Sequence, residues 1–241
     1  MENTMDPAIQ ALDERQDSME MVLDTTNENL EAALEAIDES RDTQNVPSSC
    51  SEVAETVGID TQAFYLIDPD GPGRGVLPMV VKCGRDGQTA VTLIGHNSET
   101  RTYVHEFENP GSYSKDVVYW NSMEQVRALV DQSSHCKQYI KYECYKSVIW
   151  ESTSRPYAWW VTWNGRQADY WGGAQRGSRK CECGRWRRCS RCNCDYNDGR
   201  WRADSGYLSY KTDLPVTQLR FGDTSGSEKG YHTLGKLKCY P

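Results

Sequence analysis

Cys181-Glu-Cys-Gly-Arg-Trp-Arg-Arg-Cys-Ser-Arg-Cys-Asn-Cys194 places five of the chain's ten cysteines within fourteen residues. An even total with five cysteines in a stretch too loop-rich for an apolar run is the mark of a disulfide framework. The metal alternative is zinc, because Cys181-x-Cys183 and Cys189-x-x-Cys192-x-Cys194 supply enough thiolates for a four-sulfur shell. Two facts favour oxidation: Cys50, Cys83, Cys136, Cys144 and Cys239 are scattered through the rest of the chain, and no CxxC pair recurs at zinc-ribbon spacing. Cytosolic reductants would keep such pairs open, so an extracellular location is predicted.

Outside the cysteines, charge divides the chain. The formal net charge is −8 over 241 residues, yet residues 1–50 hold thirteen Asp or Glu against two Arg and no aromatic residue. They carry −11 and leave +3 for the remainder, which holds all eight tryptophans and all fourteen tyrosines. The boundary falls near Val46-Pro-Ser-Ser-Cys50, giving an acidic stalk and linker at 1–49 and a second domain at 50–241. A net −8 argues against a nucleic-acid partner only where it is evenly spread, which it is not; no nucleic-acid partner is expected. No apolar run approaches twenty residues, so no membrane-spanning helix is predicted. Met1 to Asp6 offers neither the basic start nor the apolar stretch of a secretory signal, and the extracellular reading therefore expects the natural chain to extend upstream with its own.

Asp6-Pro7 reads as an N-cap followed by proline at the first helical position. From there Ile9, Leu12, Gln16, Met19, Leu23, Thr26, Leu30, Ala33 and Ile37 recur at alternating steps of three and four, a seam of period 3.5. One helix cannot bury so narrow a seam alone, and its remaining faces are polar and acidic, so the seam predicts an α-helical coiled coil joining several copies. Polar Gln16 and Thr26 and small Ala33 weaken it, and self-repulsion should make it sensitive to salt and acid.

After Cys50 the pattern changes to short β-type segments: Phe64–Ile67, Met79–Lys82, Ala90–Ile94, Thr102–Phe107 and Trp159–Trp163, punctuated by glycine and proline. Met123–Ser133, with Val126, Leu129 and Val130 on one face, is the clear helix. The expected class is α+β, with much irregular chain held by disulfides.

These segments carry a resemblance. Cys50, Ala63-Phe-Tyr-Leu-Ile-Asp-Pro-Asp-Gly71 and Met79-Val-Val-Lys-Cys83 resemble the opening of a fibrinogen-like domain. Trp159-Trp, Tyr170-Trp-Gly-Gly173, Cys181-Glu-Cys-Gly184, Cys192-Asn-Cys-Asp195 and Trp201 to Tyr210 are similar to the fibrinogen-like module of contactin-associated (neurexin-IV-like) adhesion proteins, over about residues 50–241. That resemblance implies a first bridge from Cys50 to Cys83. The stalk, Ile67-Asp-Pro-Asp-Gly71 and Ile140-Lys-Tyr-Glu-Cys-Tyr-Lys-Ser147 also resemble the C-terminal propeptide of fibrillar collagens, which trimerises procollagen chains. No Gly-X-Y repeat is present, and Gly71-Pro-Gly-Arg-Gly75 stands where that family's calcium loop has further ligands, leaving Asp68 and Asp70.

Two candidate sites follow. Asp195, Asn197 and Asp198 put three oxygen side chains in one turn, a candidate Ca²⁺ loop, against the alternative of a solvated Asx turn. Arg185, Trp186, Arg187, Arg188 and Arg191 form a cationic, aromatic patch suited to acidic glycans or to matrix and cell-surface proteins, against the alternative of arginine packing on tryptophan within the cysteine cluster. His96, His105, His135 and His232 follow no metal spacing, and Gly71–Gly75 lacks the Lys-Ser/Thr of a phosphate loop, so no enzyme and no organic cofactor are expected. The expected function is an extracellular trimerisation module that registers chains of a collagen-like or other elongated protein. The alternative is a fibrinogen-related adhesion or glycan-recognition head made multivalent by its stalk.

Overall fold

The computed structural model describes residues 46–59, 61–152, 155–185 and 190–241, together with Glu28 and Glu31. The predicted seam from Ile9 to Ile37 lies outside the described residues. The described part is mostly β-sheet with few and short helices, held by several disulfides, so the expected α+β balance leans strongly toward β.

His135–Tyr145 (β6) explains the architecture. Its even positions, Cys136, Gln138, Ile140, Tyr142 and Cys144, are buried, while Lys137, Tyr139, Lys141, Glu143 and Tyr145 are half-exposed. Such a period of two fixes one face of a strand inward. β6 pairs antiparallel with Trp201–Leu208 (β10) on one side and Lys229–Tyr240 (β12) on the other. Beyond β12 the sheet continues through Thr89–Ile94 (β3), Met79–Asp86 (β2) and Ala63–Ile67 (β1), while Thr102–Val104 (β4) also pairs with β12. β12 serves both neighbours because its register with β6 shifts between Leu234 and Leu237. That irregularity separates the half that pairs with β4 from the half that pairs with β3. β2 and β3 join through Gly87-Gln88, and Gly87 at φ 64° supplies the positive φ that such a two-residue hairpin requires.

The inner face packs on the rest of the fold. Tyr113–Asp116 (β5), Gln218–Phe221 (β11) and Trp159–Val161 (β9) make a second, three-stranded sheet, and Trp150–Ser152 (β7) pairs with Arg155–Pro156 (β8). Phe221 of the second sheet stacks on Tyr142 of β6 at 4.6 Å and on His232 of β12 at 5.3 Å. Met123–Gln132 (α2) buries Val126, Leu129 and Val130, and its start is fixed by a capping box in which Ser122 and Gln125 satisfy each other's backbone N–H groups. Cys50–Thr56 (α1) buries Cys50 and Val53, and Glu182–Arg185 (α3) is one short turn.

The expected segments mostly became strands, with two corrections. Thr102–Phe107 ends at Val104, because Glu106 takes φ 74°, and Trp159–Trp163 ends at Val161, where the chain turns back toward Arg166. Three strands of the main sheet, β6 and β12 in its interior and β10 at its edge, have no counterpart among the segments expected from sequence.

Candidate functional site

The main sheet has a second face. Val91, Leu93 and Tyr240 form a small apolar cluster of their own, separate from the principal core, because their strands turn those residues to the opposite side. The odd positions of β6 and their cross-strand neighbours share this outer face. Tyr139 lies beside Tyr207, Tyr145 beside Trp201, and Trp201 beside Tyr231, with ring centroids 5.5 to 5.8 Å apart, and Tyr103 adds a contact of 5.0 Å to Tyr231. Trp201, Tyr103 and Tyr207 are 50, 47 and 42% exposed, so these rings are not closed over by the rest of the described chain.

Cations interleave the rings. The Arg101 guanidinium lies 3.3 Å from the Tyr231 ring centroid, Lys137 Nζ lies within 5 Å of both Tyr207 and Tyr240, and Lys229 Nζ stands 5.7 Å from Tyr145. Each such contact is worth about 0.5–1 kcal/mol at an exposed site. Two carboxylates sit among them. Glu143 pairs with Arg101 at 2.8 Å and Lys141 at 3.3 Å, and the Arg101 hydrogen bond holds its carboxyl below the ordinary value. Asp86 accepts from the Tyr240 hydroxyl and from Lys137, which hold its carboxyl low as well. Lys82, Lys229 and Lys238 have no carboxylate at ion-pair distance among the described residues. The sequence holds a signal for this face: Lys137, Tyr139, Lys141, Glu143 and Tyr145 put charged or tyrosine side chains at every second position.

Of the sites expected from sequence, the bridge from Cys50 to Cys83 forms, and the others are placed as follows. Cys50–Cys83, Cys136–Cys239, Cys144–Cys194 and Cys181–Cys192 are disulfides, and Cys183 is disulfide-bonded too. Cys181 and Cys192 approach Asp204 closely, but their sulfurs are joined to each other and offer no thiolate. Residues 186–189, which include Trp186, Arg187, Arg188 and Cys189, and the Arg185 side chain lie outside the described residues. Arg191 lies near Tyr196 and donates to the Asp195 carbonyl at 3.3 Å.

The three turn residues have separate tasks. Asp195 points inward, its Oδ1 accepting from the backbone N–H groups of Ile149 and Trp150 at 2.9 Å each, and burial raises its pKa to about 7. Asp198 points outward to Arg202 at 2.5 and 2.9 Å, and that hydrogen bond holds it at about 2. Asn197 takes the left-handed conformation that ends the single 3-10 turn Cys194–Tyr196. Asp195 and Asp198 are thus engaged with different partners. In the loop after β1, Asp68 and Asp70 each keep a buried oxygen without a hydrogen-bond partner, and burial, reinforced by Asp70, raises the Asp68 pKa.

Other buried polar groups hold the loops. Asp204 of β10 accepts from the backbone of Asn193 at 3.0 Å and of Cys194 at 2.8 Å, fastening the cysteine-rich loop to the sheet. Asp213 gathers Arg166 at 2.7 Å, Arg176 and the Tyr170 hydroxyl at 2.9 Å. Gly172 and Gly206 meet backbone to backbone: a Cβ on Gly172 would stand 2.4 Å from the Gly206 oxygen, so the Tyr170–Gly173 segment crosses β10 only because both positions lack one. His232 is buried beside Tyr113 and Phe221, which lowers its pKa to about 4, and His96 hydrogen-bonds the backbone of Ser98 and Gly235. Among the described residues no cysteine is free and no helix is long and apolar enough to cross a membrane.

This disulfide-braced β domain has recognisable relatives. The chain is similar to one stretch of the neurexin-4 and contactin-associated proteins. It is 36% identical to Neurexin-4 of Drosophila melanogaster over 211 residues, covering 82% of this chain and 16% of that protein. It is 38% identical to Contactin-associated protein 1 of Homo sapiens over 189 residues, 75% of this chain and 13% of that protein. The Rattus norvegicus protein of the same name matches at 38% over 183 residues, again 13% of its length. The chain therefore spans about a sixth or less of these curated relatives. No protein-family model matches it.

Proposed function

We propose that this chain is an extracellular recognition module of the adhesion type, whose fibrinogen-like domain, residues 50–241, offers the outer face of its main sheet to a cell-surface or matrix partner. The observation that carries this reading is the uncovered row of Tyr103, Tyr231, Trp201, Tyr139 and Tyr207 interleaved with cations. A folded domain covers so much ring surface unless something else is to cover it, and aromatic rings with arginine are the residues enriched at binding surfaces. The disulfides suit an oxidising compartment, and similarity to proteins named for neurexin and for association with contactin agrees with work at the cell surface.

In the same proposal the segment 1–49 is a coiled coil that makes the module a homotrimer, so that weak single sites act together. The role in registering collagen-like chains has no counterpart in the relatives' names, and it rests on the seam at 9–37 and on the resemblance of residues 67–71 and 140–147 to collagen propeptides. The test is attachment of the labelled full chain to cultured cells. Trp201→Ala/Tyr207→Ala should reduce attachment at least fivefold at unchanged far-ultraviolet circular dichroism, whereas Leu77→Ala, on an exposed loop away from the face, should not. Equal attachment by all three proteins would remove the outer face from the function.

A further inference from the structure

Resting on the recognition reading above, the geometry points to a sulfated polysaccharide as the occupant of the outer face. Size is the first ground. From Lys137 to Tyr145 a strand rises about 27 Å, and the four strand spacings from β2 to β10 add about 19 Å in the other direction. A patch of these proportions suits a narrow chain laid across the strands.

Charge is the second ground. Lys82, Arg101, Lys137, Lys141, Lys229 and Lys238 face only Asp86 and Glu143 here, so the face is cationic in a chain whose total is −8. Of these, Lys82, Lys229 and Lys238 meet no carboxylate at ion-pair distance among the described residues and are free to meet sulfates.

The rings decide between kinds of polyanion. β6 and β12 are paired on both sides and the open edge at β10 lies in the plane of the sheet, so an extended acidic peptide laid across this face gains no strand pairing. Sugar rings present flat C–H faces that Trp201, Tyr103 and Tyr207 can stack against while the flanking lysines take the sulfates. A nucleic acid shares rings and negative charge, but the disulfides place the domain in an oxidising compartment away from it.

The test is calorimetric titration of the full chain with a heparin dodecasaccharide. Binding is expected at 50 mM NaCl and at least tenfold weaker at 300 mM. Lys82→Gln/Lys229→Gln/Lys238→Gln should weaken it at least tenfold, and Trp201→Ala at least threefold, at unchanged melting temperature. Lys180→Gln/Arg200→Gln, near the cysteine-rich loop, should leave it unaltered. No binding at 50 mM, an unaltered lysine triple variant, or equal binding of a polyglutamate of matched charge would overturn the assignment. Attachment to cells treated with heparinase separates the two proposals: loss supports the polysaccharide, whereas full retention overturns it and leaves the recognition role standing.

Discussion

At the residue scale, Asp195 shows how one side chain can be misjudged from its neighbours in sequence. Asp195-Tyr-Asn-Asp-Gly199 has the composition of a cation loop, but Asp195 accepts two backbone N–H groups of the chain entering β7, and Asp198 pairs with Arg202 four residues on. Oxygen-bearing residues close in sequence serve a cation together only if other partners leave them free, and these two are each engaged elsewhere. A pH dependence follows. With its pKa raised from the ordinary 3.8 to about 7, Asp195 keeps its proton in the folded protein where the unfolded chain has lost it. Its contribution is fully present below about pH 4 and is lost as pH rises through about 7. Asp195→Asn preserves an Oδ1 that can accept both N–H groups and removes the titration. The variant should melt at or a few degrees above the parent at pH 8, and the difference should shrink or reverse at pH 5, by thermal unfolding at both values. A variant that melts at least 5 °C below the parent at pH 8 would contradict this assignment.

At the element scale, what the sequence made legible depended on how one-sided each strand is. β1, β3 and α2 were readable because apolar residues dominate or recur at one period: Ala90-Val-Thr-Leu-Ile94 is a run, and Val126, Leu129 and Val130 mark a helix face. β6, β10 and β12 were not, although β6 and β12 are paired on both sides within the sheet. Their buried sides include Gln138, Asp204, Gly206, Gly230 and His232, while their outer sides carry Tyr139, Tyr145, Tyr207 and Tyr231, so hydrophobicity does not mark which side faces in. The outer face is hard to read from sequence for the same reason, since its rings look like core residues. What compensates for the polar interior is stapling: β6 is bridged near its start to β12 by Cys136–Cys239 and near its end to the 3-10 turn by Cys144–Cys194. Cys136–Cys239 spans 103 residues and Cys181–Cys192 spans 11. By loop-closure entropy their removal costs about 5 and about 3 kcal/mol respectively. Cys136→Ala/Cys239→Ala should therefore lower the urea midpoint clearly more than Cys181→Ala/Cys192→Ala. The reverse order would mean that the short loop braces the fold more than its span implies.

At the scale of the whole molecule, the two parts of the chain carry opposite charge, −11 before residue 51 and +3 after it, and this sets how copies can meet. If the seam from Ile9 to Ile37 assembles chains, three strongly acidic segments must lie side by side against mutual repulsion. Salt screens that repulsion and acid neutralises the carboxylates, while the apolar seam is strengthened slightly by salt. Assembly should then grow from 20 to 500 mM NaCl, with light scattering moving from the 27.4 kDa chain toward three times that mass, and the same shift should follow acidification from pH 7.5 to 4.5 at low salt. A contact made instead through the cationic outer face and the acidic segment of a neighbour would respond in the opposite sense, because screening weakens attraction between unlike charges. Mass that falls as salt is added would therefore assign the association to head and stalk together and remove the coiled coil as its cause, while a single chain under every condition would remove oligomerisation.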